Sequence, residues 1–236
     1  MVSEAFHFKR FRISQSGAAH PVGTDGVLLG AWADTHGCTN VLDIGTGTGI
    51  IALMIAQRTQ DAYITGIDIH KPSLNCSGNN FRASPWSDRL QLLETSLQDM
   101  AAASETRYDL IVTNPPFFSE KILSPDSERS LGRHTATLSQ DELLFSVSVL
   151  LAPEGRFCVI LPVREGILLR EKAVLNRLYC NIEVSIFTGP SKPAERLMMQ
   201  FSRDPGRFLR QTLSLKDETG NKSPEYKQLT DEFYIT

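Results

Sequence analysis

The segment from Val41 to Arg58 limits what this chain can fold into more than any other. It opens with a short apolar run, Val41-Leu42-Asp43-Ile44, passes through Gly45-Thr46-Gly47-Thr48-Gly49, and continues as the apolar helical stretch Ile50 to Arg58. Three glycines at alternate positions allow backbone angles closed to other residues, and they leave the main chain bare enough for a ligand to approach closely. A strand that enters a helix through such a turn is the opening unit of an open, doubly wound α/β sheet, with its ligand crevice at the strand's carboxyl end.

The residues that follow keep this rhythm. Ala62 to Asp68 predicts a second strand and Pro72 to Arg82 a helix; Leu90 to Leu93 predicts a third strand and Tyr108 to Thr113 a fourth. Ser139-Gln140-Asp141-Glu142 is an N-cap with acidic first-turn residues and opens a helix through Leu151. Pro153-Glu154-Gly155 then turns the chain into a fifth strand, Arg156 to Leu161. A helix over Glu165 to Leu178 and a hairpin of Asn181 to Phe187 with Arg196 to Phe201 complete the count. The pattern therefore predicts a Rossmann-like sheet of seven strands, mostly parallel, with one antiparallel strand. It also divides the chain into an N-terminal extension (1–33) packed on the core, a core domain (34–206) and a weakly patterned tail (207–236). The polar stretch from Phe118 to Leu138 has no periodicity and is expected to be a long loop of the kind that covers binding sites.

Composition narrows the function classes. With 236 residues, 41% hydrophobic and 22% charged, the chain has enough apolar material for one sizeable core. It has no apolar run of membrane-spanning length and no secretion-type start, so a cytoplasmic location is expected. Cys38, Cys76, Cys158 and Cys180 lack metal or redox spacing, so no metal is expected. A net charge of −3 excludes a generally basic surface. Local basic clusters remain, at Lys9-Arg10-Phe11-Arg12 and at Arg203, Arg207 and Arg210 around Phe208. The sequence leaves the oligomeric state open.

Dehydrogenase turns of this type read G-x-G-x-x-G. This one reads G-x-G-x-G with Asp43 two residues ahead, where a carboxylate would repel a pyrophosphate but suits the cationic amino-acid end of S-adenosyl-L-methionine. The expected cofactor residues are therefore Asp43, Gly45, Gly47 and Gly49. Asp68 follows about 20 residues on, at a strand end, to accept from ribose hydroxyls, with Ile69 beside it to pack on adenine. Ser96 and Leu97 fall where the adenine ring would lie, next to Thr95. Thr24, with Asp25, either reaches the cofactor or caps a helix.

The second informative motif, Asn114-Pro115-Pro116-Phe117, closes the fourth strand. Adenine's exocyclic amine is a poor nucleophile because its lone pair is delocalised into the ring. Two acceptors aimed at its hydrogens, the Asn114 side-chain oxygen and the Pro115 carbonyl, favour a pyramidal nitrogen whose lone pair faces a methyl donor. Pro115 and Pro116 stiffen the turn, and Phe117 offers a stacking face, with Phe118 next to it.

With these motifs the chain resembles the class I methyltransferases that carry an N-P-P-[FYW] turn, and more narrowly the bacterial tRNA adenine-N6 methyltransferases. Phe8 to Phe11, Val22 to Gly30, Arg133-His134 and Lys192-Pro193-Ala194 with Arg196 carry the narrower likeness. The resemblance implies methyl transfer to the N6 amine of the adenosine beside the anticodon of valine tRNA. Arg133, His134, Lys192 and Arg196, expected near the rim of the substrate face, are candidates for phosphate contacts, as are Lys9 and Arg10 of the basic cluster near the start, and an anticodon-loop base must leave its stack to reach the pocket. The family often has a second basic residue just before Arg196, where this chain has Glu195. Related chemistries present a planar nitrogen to the same turn: guanine-N2 methylation of rRNA, adenine-N6 methylation of DNA, and methylation of a release-factor glutamine. A nicotinamide oxidoreductase is disfavoured by Asp43 and by Asn114 to Phe117. A module that only binds a nucleoside cofactor would tolerate loss of Asn114.

Overall fold

The structure, a computed structural model, describes residues 5–18, 21–115 and 138–235. In the core, β3 (Asn40–Ile44) leads through the glycine turn into α2 (Ile50–Arg58), and β4 (Tyr63–Asp68) into α3 (Lys71–Arg82). β5 (Leu90–Glu94), α4 (Leu97–Ala103) and β6 (Tyr108–Thr113) follow. Then come α5 (Gln140–Leu150), β7 (Leu151–Pro162), α6 (Val163–Ala173), β8 (Tyr179–Phe187) and β9 (Ala194–Ser202). Before the core lie β1 (Phe6–His7), β2 (Arg12–Ile13) and α1 (Thr24–Trp32), and after it β10 (Leu209–Ser214) and α7 (Pro224–Thr230).

The sheet order is β10-β8-β9-β7-β6-β3-β4-β5. Only β9 runs against its neighbours, pairing antiparallel with both β7 and β8. This is the mostly parallel sheet with one antiparallel strand that the sequence predicts, widened from seven strands to eight. The added strand comes from the supposed tail: β10 pairs parallel with β8 from Leu209↔Ile182 to Ser214↔Phe187. Its pattern is weak because as an edge strand it buries little, with Leu209 to Thr212 exposed. The expected turn at Pro153 to Gly155 is instead absorbed into β7, which starts at Leu151 beside an irregularity in the β6 pairing.

Side-chain alternation along the strands builds two cores. Val41, Leu110, Val112, Cys158 and Ile160 face α1, α2 and the chain ends, whereas Leu42, Ile111, Phe157, Val159 and Leu161 face α4, α5 and α6. α5 starts at the predicted N-cap, Ser139, which forms a capping box with Glu142. The two chain ends meet: the Lys9 amide donates to the Phe233 carbonyl at 2.8 Å, and Phe8 stacks between Phe11 and Tyr234 at 4.6 and 5.9 Å. Both flanks are thus built onto the core.

Among the described residues no helix is long and apolar enough to cross a membrane, and no His, Cys, Asp or Glu cluster could hold a metal. The loop expected over 118–138 lies outside the described residues except for Leu138, which packs against the second core.

Candidate active site

All the parallel strands end on one edge of the sheet, and the crevice opens where β3 and β6 leave it side by side. Ile44 pairs with Thr113, and the Thr113 hydroxyl donates to the Ile44 carbonyl at 2.9 Å. Gly45 and Asn114 therefore depart from adjacent strands in register, about 5 Å apart by sheet geometry. Two motifs some 70 residues apart in sequence are brought to one point. Pro115 is buried and Asn114 half-buried.

The glycine turn needs its glycines. Gly45, Gly47 and Gly49 have φ of 67°, 57° and 82°, in the left-handed region. At Gly49 a β-carbon would also stand 2.5 Å from the Phe81 ring, whereas at Gly45 it would meet nothing within 4 Å. Gly49 is thus close-packed inside, and Gly45 faces open space.

Asp43 is fully buried, and its Oδ2 accepts from the Thr46 hydroxyl at 2.7 Å. Burial pushes its carboxyl up to about 7; the Thr46 hydroxyl and the Ala52 amide oppose the rise, and Asp68 adds to it by repulsion. Its Oδ1 is buried without a hydrogen-bond partner among the described residues. A buried carboxylate oxygen left unpaired is costly. A cation such as the ammonium of S-adenosylmethionine, acting directly or through a water, would offset that cost in chemistry and charge.

Asp68 binds the turn itself: Oδ2 accepts from the Gly47 amide at 3.0 Å and Oδ1 from the His70 amide at 2.9 Å. Each oxygen keeps a second lone pair for a ligand hydroxyl. Ile69 is 58% exposed, unusual for an isoleucine, on the same edge. Ser96 caps α4, with its hydroxyl accepting from the Asp99 amide at 3.0 Å. Leu97 is buried in the second core, so only its backbone can face the crevice. The side chains of these two serve helix capping and packing. Thr24 is exposed in the first turn of α1; the N-cap is Gly23, without a side-chain bond.

The basic residues divide. Arg196 is on the crevice edge, opposite Pro162, but its Nε donates to Asp25 Oδ2 at 2.9 Å, fastening the start of α1 to β9. That partner is the acidic residue expected to reach the cofactor or cap the helix. Lys192 is exposed in the β8–β9 turn on the same edge. Lys9 and Arg10 do not join them. Lys9 Nζ donates to the Asp231 carbonyl at 2.5 Å, and Arg10 lies 5.7 Å from the Trp86 ring centroid. Trp86 precedes β5, so both residues lie toward the opposite edge, where the chain ends anchor. Of the C-terminal arginines, Arg203 is tied into the core, whereas Arg207 and Arg210 are exposed. Arg203 donates to the Leu151 carbonyl at 3.0 Å, and Arg210 approaches Glu183 at 3.4 Å while lying over Phe208.

One exposed cation on this edge was not singled out from the sequence. Arg164 is exposed in the first turn of α6, two residues past the end of β7 on the crevice edge, with no ion pair among the described residues. A cation at a helix N-terminus opposes the helix dipole. That mismatch was the signal available in the sequence. Pro116, Phe117, Phe118, Arg133 and His134 lie outside the described residues.

Comparison with known proteins agrees with this geometry. Residues 23–147 match the family model described as Methyltransferase small domain. Over 236 residues the chain is 38% identical to a tRNA1(Val) (adenine(37)-N6)-methyltransferase of Tolumonas auensis, covering 100% of this chain and 98% of that one. It is 39% identical to the Parabacteroides distasonis protein of the same name, covering 100% and 99%. Among solved structures, a predicted O-methyltransferase of Agrobacterium tumefaciens superposes with a TM-score of 0.68 at 15% identity, over 89% of this chain and 96% of that one. At that identity the likeness concerns the fold.

Proposed function

We propose, from the premise that this chain belongs to the tRNA1(Val) (adenine(37)-N6)-methyltransferase family, that it methylates the N6 amine of adenine 37 in valine tRNA with S-adenosylmethionine as donor. The observation that carries this reading is the Ile44–Thr113 register, which sets the Asn114 turn against the glycine turn. S-adenosylmethionine supplies an already electrophilic methyl group. What remains for the protein is to bind, orient and exclude.

Gly45, Gly47 and Gly49 admit the cofactor to the backbone. Asp43 Oδ1 accepts its ammonium, Asp68 its ribose hydroxyls, and Ile69 and the backbone at Ser96 and Leu97 border its base. Thr24 stands at the rim of the same crevice. On the substrate side, the Asn114 side-chain oxygen and the Pro115 carbonyl hold the two hydrogens of the amine. The nitrogen's lone pair is then turned toward the donor, and the fixed dipoles need little reorganisation as charge develops. The stacking role of Phe117, the support from Pro116 and Phe118, and RNA contacts by Arg133 and His134 rest on the motif and the family. Lys192 and Arg164 are the rim cations placed to meet phosphates, with Arg196 holding the rim through Asp25. The substrate places the work in the cytoplasm.

Asn114→Ala tests the assignment. Its kcat should fall about 100-fold or more, the scale expected for losing one preorganised polar group. Affinity for S-adenosylhomocysteine should stay within about threefold, because Asn114 serves the amine and not the cofactor. Retained turnover would remove Asn114 from the chemistry, cofactor binding without methyl transfer by the wild type would reduce the protein to a binding module, and a collapse of cofactor affinity would move Asn114 into the cofactor site.

A further inference from the structure

Residues 11–18 climb along α3 from the far edge of the sheet toward the crevice. Phe11 packs on Trp86 at 5.8 Å, and a β-carbon on Gly17 would touch Pro72 at 3.5 Å, four residues beyond Asp68. Gln15 then reaches the start of α1, its Oε1 accepting from the Val22 amide at 2.7 Å. This segment forms an outer wall of the crevice. One side chain ties it to the glycine turn.

That side chain is Asn80, 3% exposed on α3. Its Oδ1 accepts from the Ser14 amide at 2.8 Å, and its Nδ2 donates to the Ser14 carbonyl and to the Thr48 carbonyl, both at 2.9 Å. The orientation is unambiguous, since a flipped amide would set a donor against the Ser14 amide and an acceptor against two carbonyls. Cys76 Sγ adds a contact to the same Ser14 carbonyl at 3.0 Å. The next residue, Phe81, fills the space that only Gly49 can leave. Three chain segments, the N-terminal wall, the glycine turn and α3, therefore meet at one satisfied amide.

We propose that Asn80 is a positioning residue for cofactor binding: it locks the N-terminal wall to the glycine turn, so that the crevice is pre-shaped before the cofactor enters. Thr48 lies between Gly47, whose amide is held by Asp68, and Gly49, which starts α2. Loss of the Asn80 bond frees the turn at its centre, and loss of the Ser14 pair frees the wall. Both costs then fall on cofactor binding, because order that was preformed must be created when the ligand arrives. Asn80 bonds the Ser14 and Thr48 backbone and makes no bond to Asn114 or to the β6 end, so turnover of the bound complex is expected to change little. The inference rests on the cofactor site proposed above.

The test is calorimetric titration of the full chain with S-adenosylhomocysteine, together with steady-state kinetics, for the wild type, Asn80→Ala and Gln15→Ala. The second variant opens the half-buried clasp to Val22 without disturbing the turn, and so remains informative if Asn80→Ala folds poorly. We expect cofactor affinity to fall about tenfold for Asn80→Ala and about threefold for Gln15→Ala, with kcat and the RNA KM within twofold and binding stoichiometry unchanged. A merely structural role would lower stoichiometry and melting temperature at unchanged affinity, and would overturn the proposal. So would wild-type affinity in both variants. Absence of S-adenosylhomocysteine binding by the wild type would instead refute the cofactor site itself.

Discussion

Replacing Asp43 by Asn should make the free protein more stable and a worse binder, a combination that few mechanisms other than a ligand-directed buried charge produce. The carboxyl titrates near 7 in the folded chain against an ordinary value of 3.8. Between those values the folded state holds a proton that the unfolded chain has lost. Stability from this group therefore falls as pH rises from about 4 to about 7 and is level above. The gap corresponds to about 4 kcal/mol at full ionisation. Asparagine carries no charge and can still accept from Thr46, but its buried Nδ2 lacks an acceptor, which costs about 1–3 kcal/mol. For a chain of this size, the net relief of roughly 1–3 kcal/mol raises the melting temperature by roughly 2–12 °C. Thermal melts of the ligand-free proteins from pH 5 to pH 9 should show Asp43→Asn pulling ahead of the wild type through pH 7 and keeping its lead above. Titration with S-adenosylhomocysteine, which carries the same ammonium as the cofactor, should show the variant binding about 10- to 100-fold more weakly at pH 8, the worth of a charge-assisted hydrogen bond. Wild-type affinity should itself drop about tenfold between pH 8 and pH 6 as Asp43 takes up a proton. A variant no more stable than the wild type at pH 8, or one with undiminished affinity, would refute this account of Asp43.

Charge reversal of Arg164 and Lys192 together should raise the RNA KM about tenfold and reduce the slope of log KM against log salt by roughly 0.7 to 0.9 for each phosphate that the protein no longer neutralises. Lys9→Glu, at the opposite edge, should leave both within experimental scatter. Thr113→Val removes the hydroxyl that ties β6 to the Ile44 carbonyl; kcat should fall while S-adenosylhomocysteine affinity measured by calorimetry stays within about threefold. Gly49→Ala combines a left-handed φ with a 2.5 Å clash against Phe81, and urea unfolding should show a loss of roughly 2–5 kcal/mol.

The core of the fold was legible because its strands are buried on both faces and its turns carry glycine or a capping residue. β6 was predicted at its observed bounds, Tyr108 to Thr113, and α2 over Ile50 to Arg58. β10 was not legible, since an exposed edge strand has no apolar alternation to read. α4, of seven residues, was missed because only Leu97 and Met100 are buried on it. Of the candidate site, the left-handed turn at the glycines and the placing of Asp43 and Asp68 around it could be read, since backbone geometry and a carboxylate in an apolar strand leave marks in local sequence. The fate of the cations could not. Arg196 pairs with a residue 171 positions away, and Lys9 is drawn to the far edge by aromatic packing of the chain ends. Both are long-range outcomes of the three-dimensional arrangement.

The central claim concerns one nitrogen atom. Valine tRNA from cells lacking this enzyme, incubated with the purified chain and methyl-labelled S-adenosylmethionine and then digested to nucleosides, should yield label as N6-methyladenosine mapping to position 37, and Asn114→Ala should yield none. Label recovered as N2-methylguanosine, or found in protein while the RNA stays unlabelled, would contradict it.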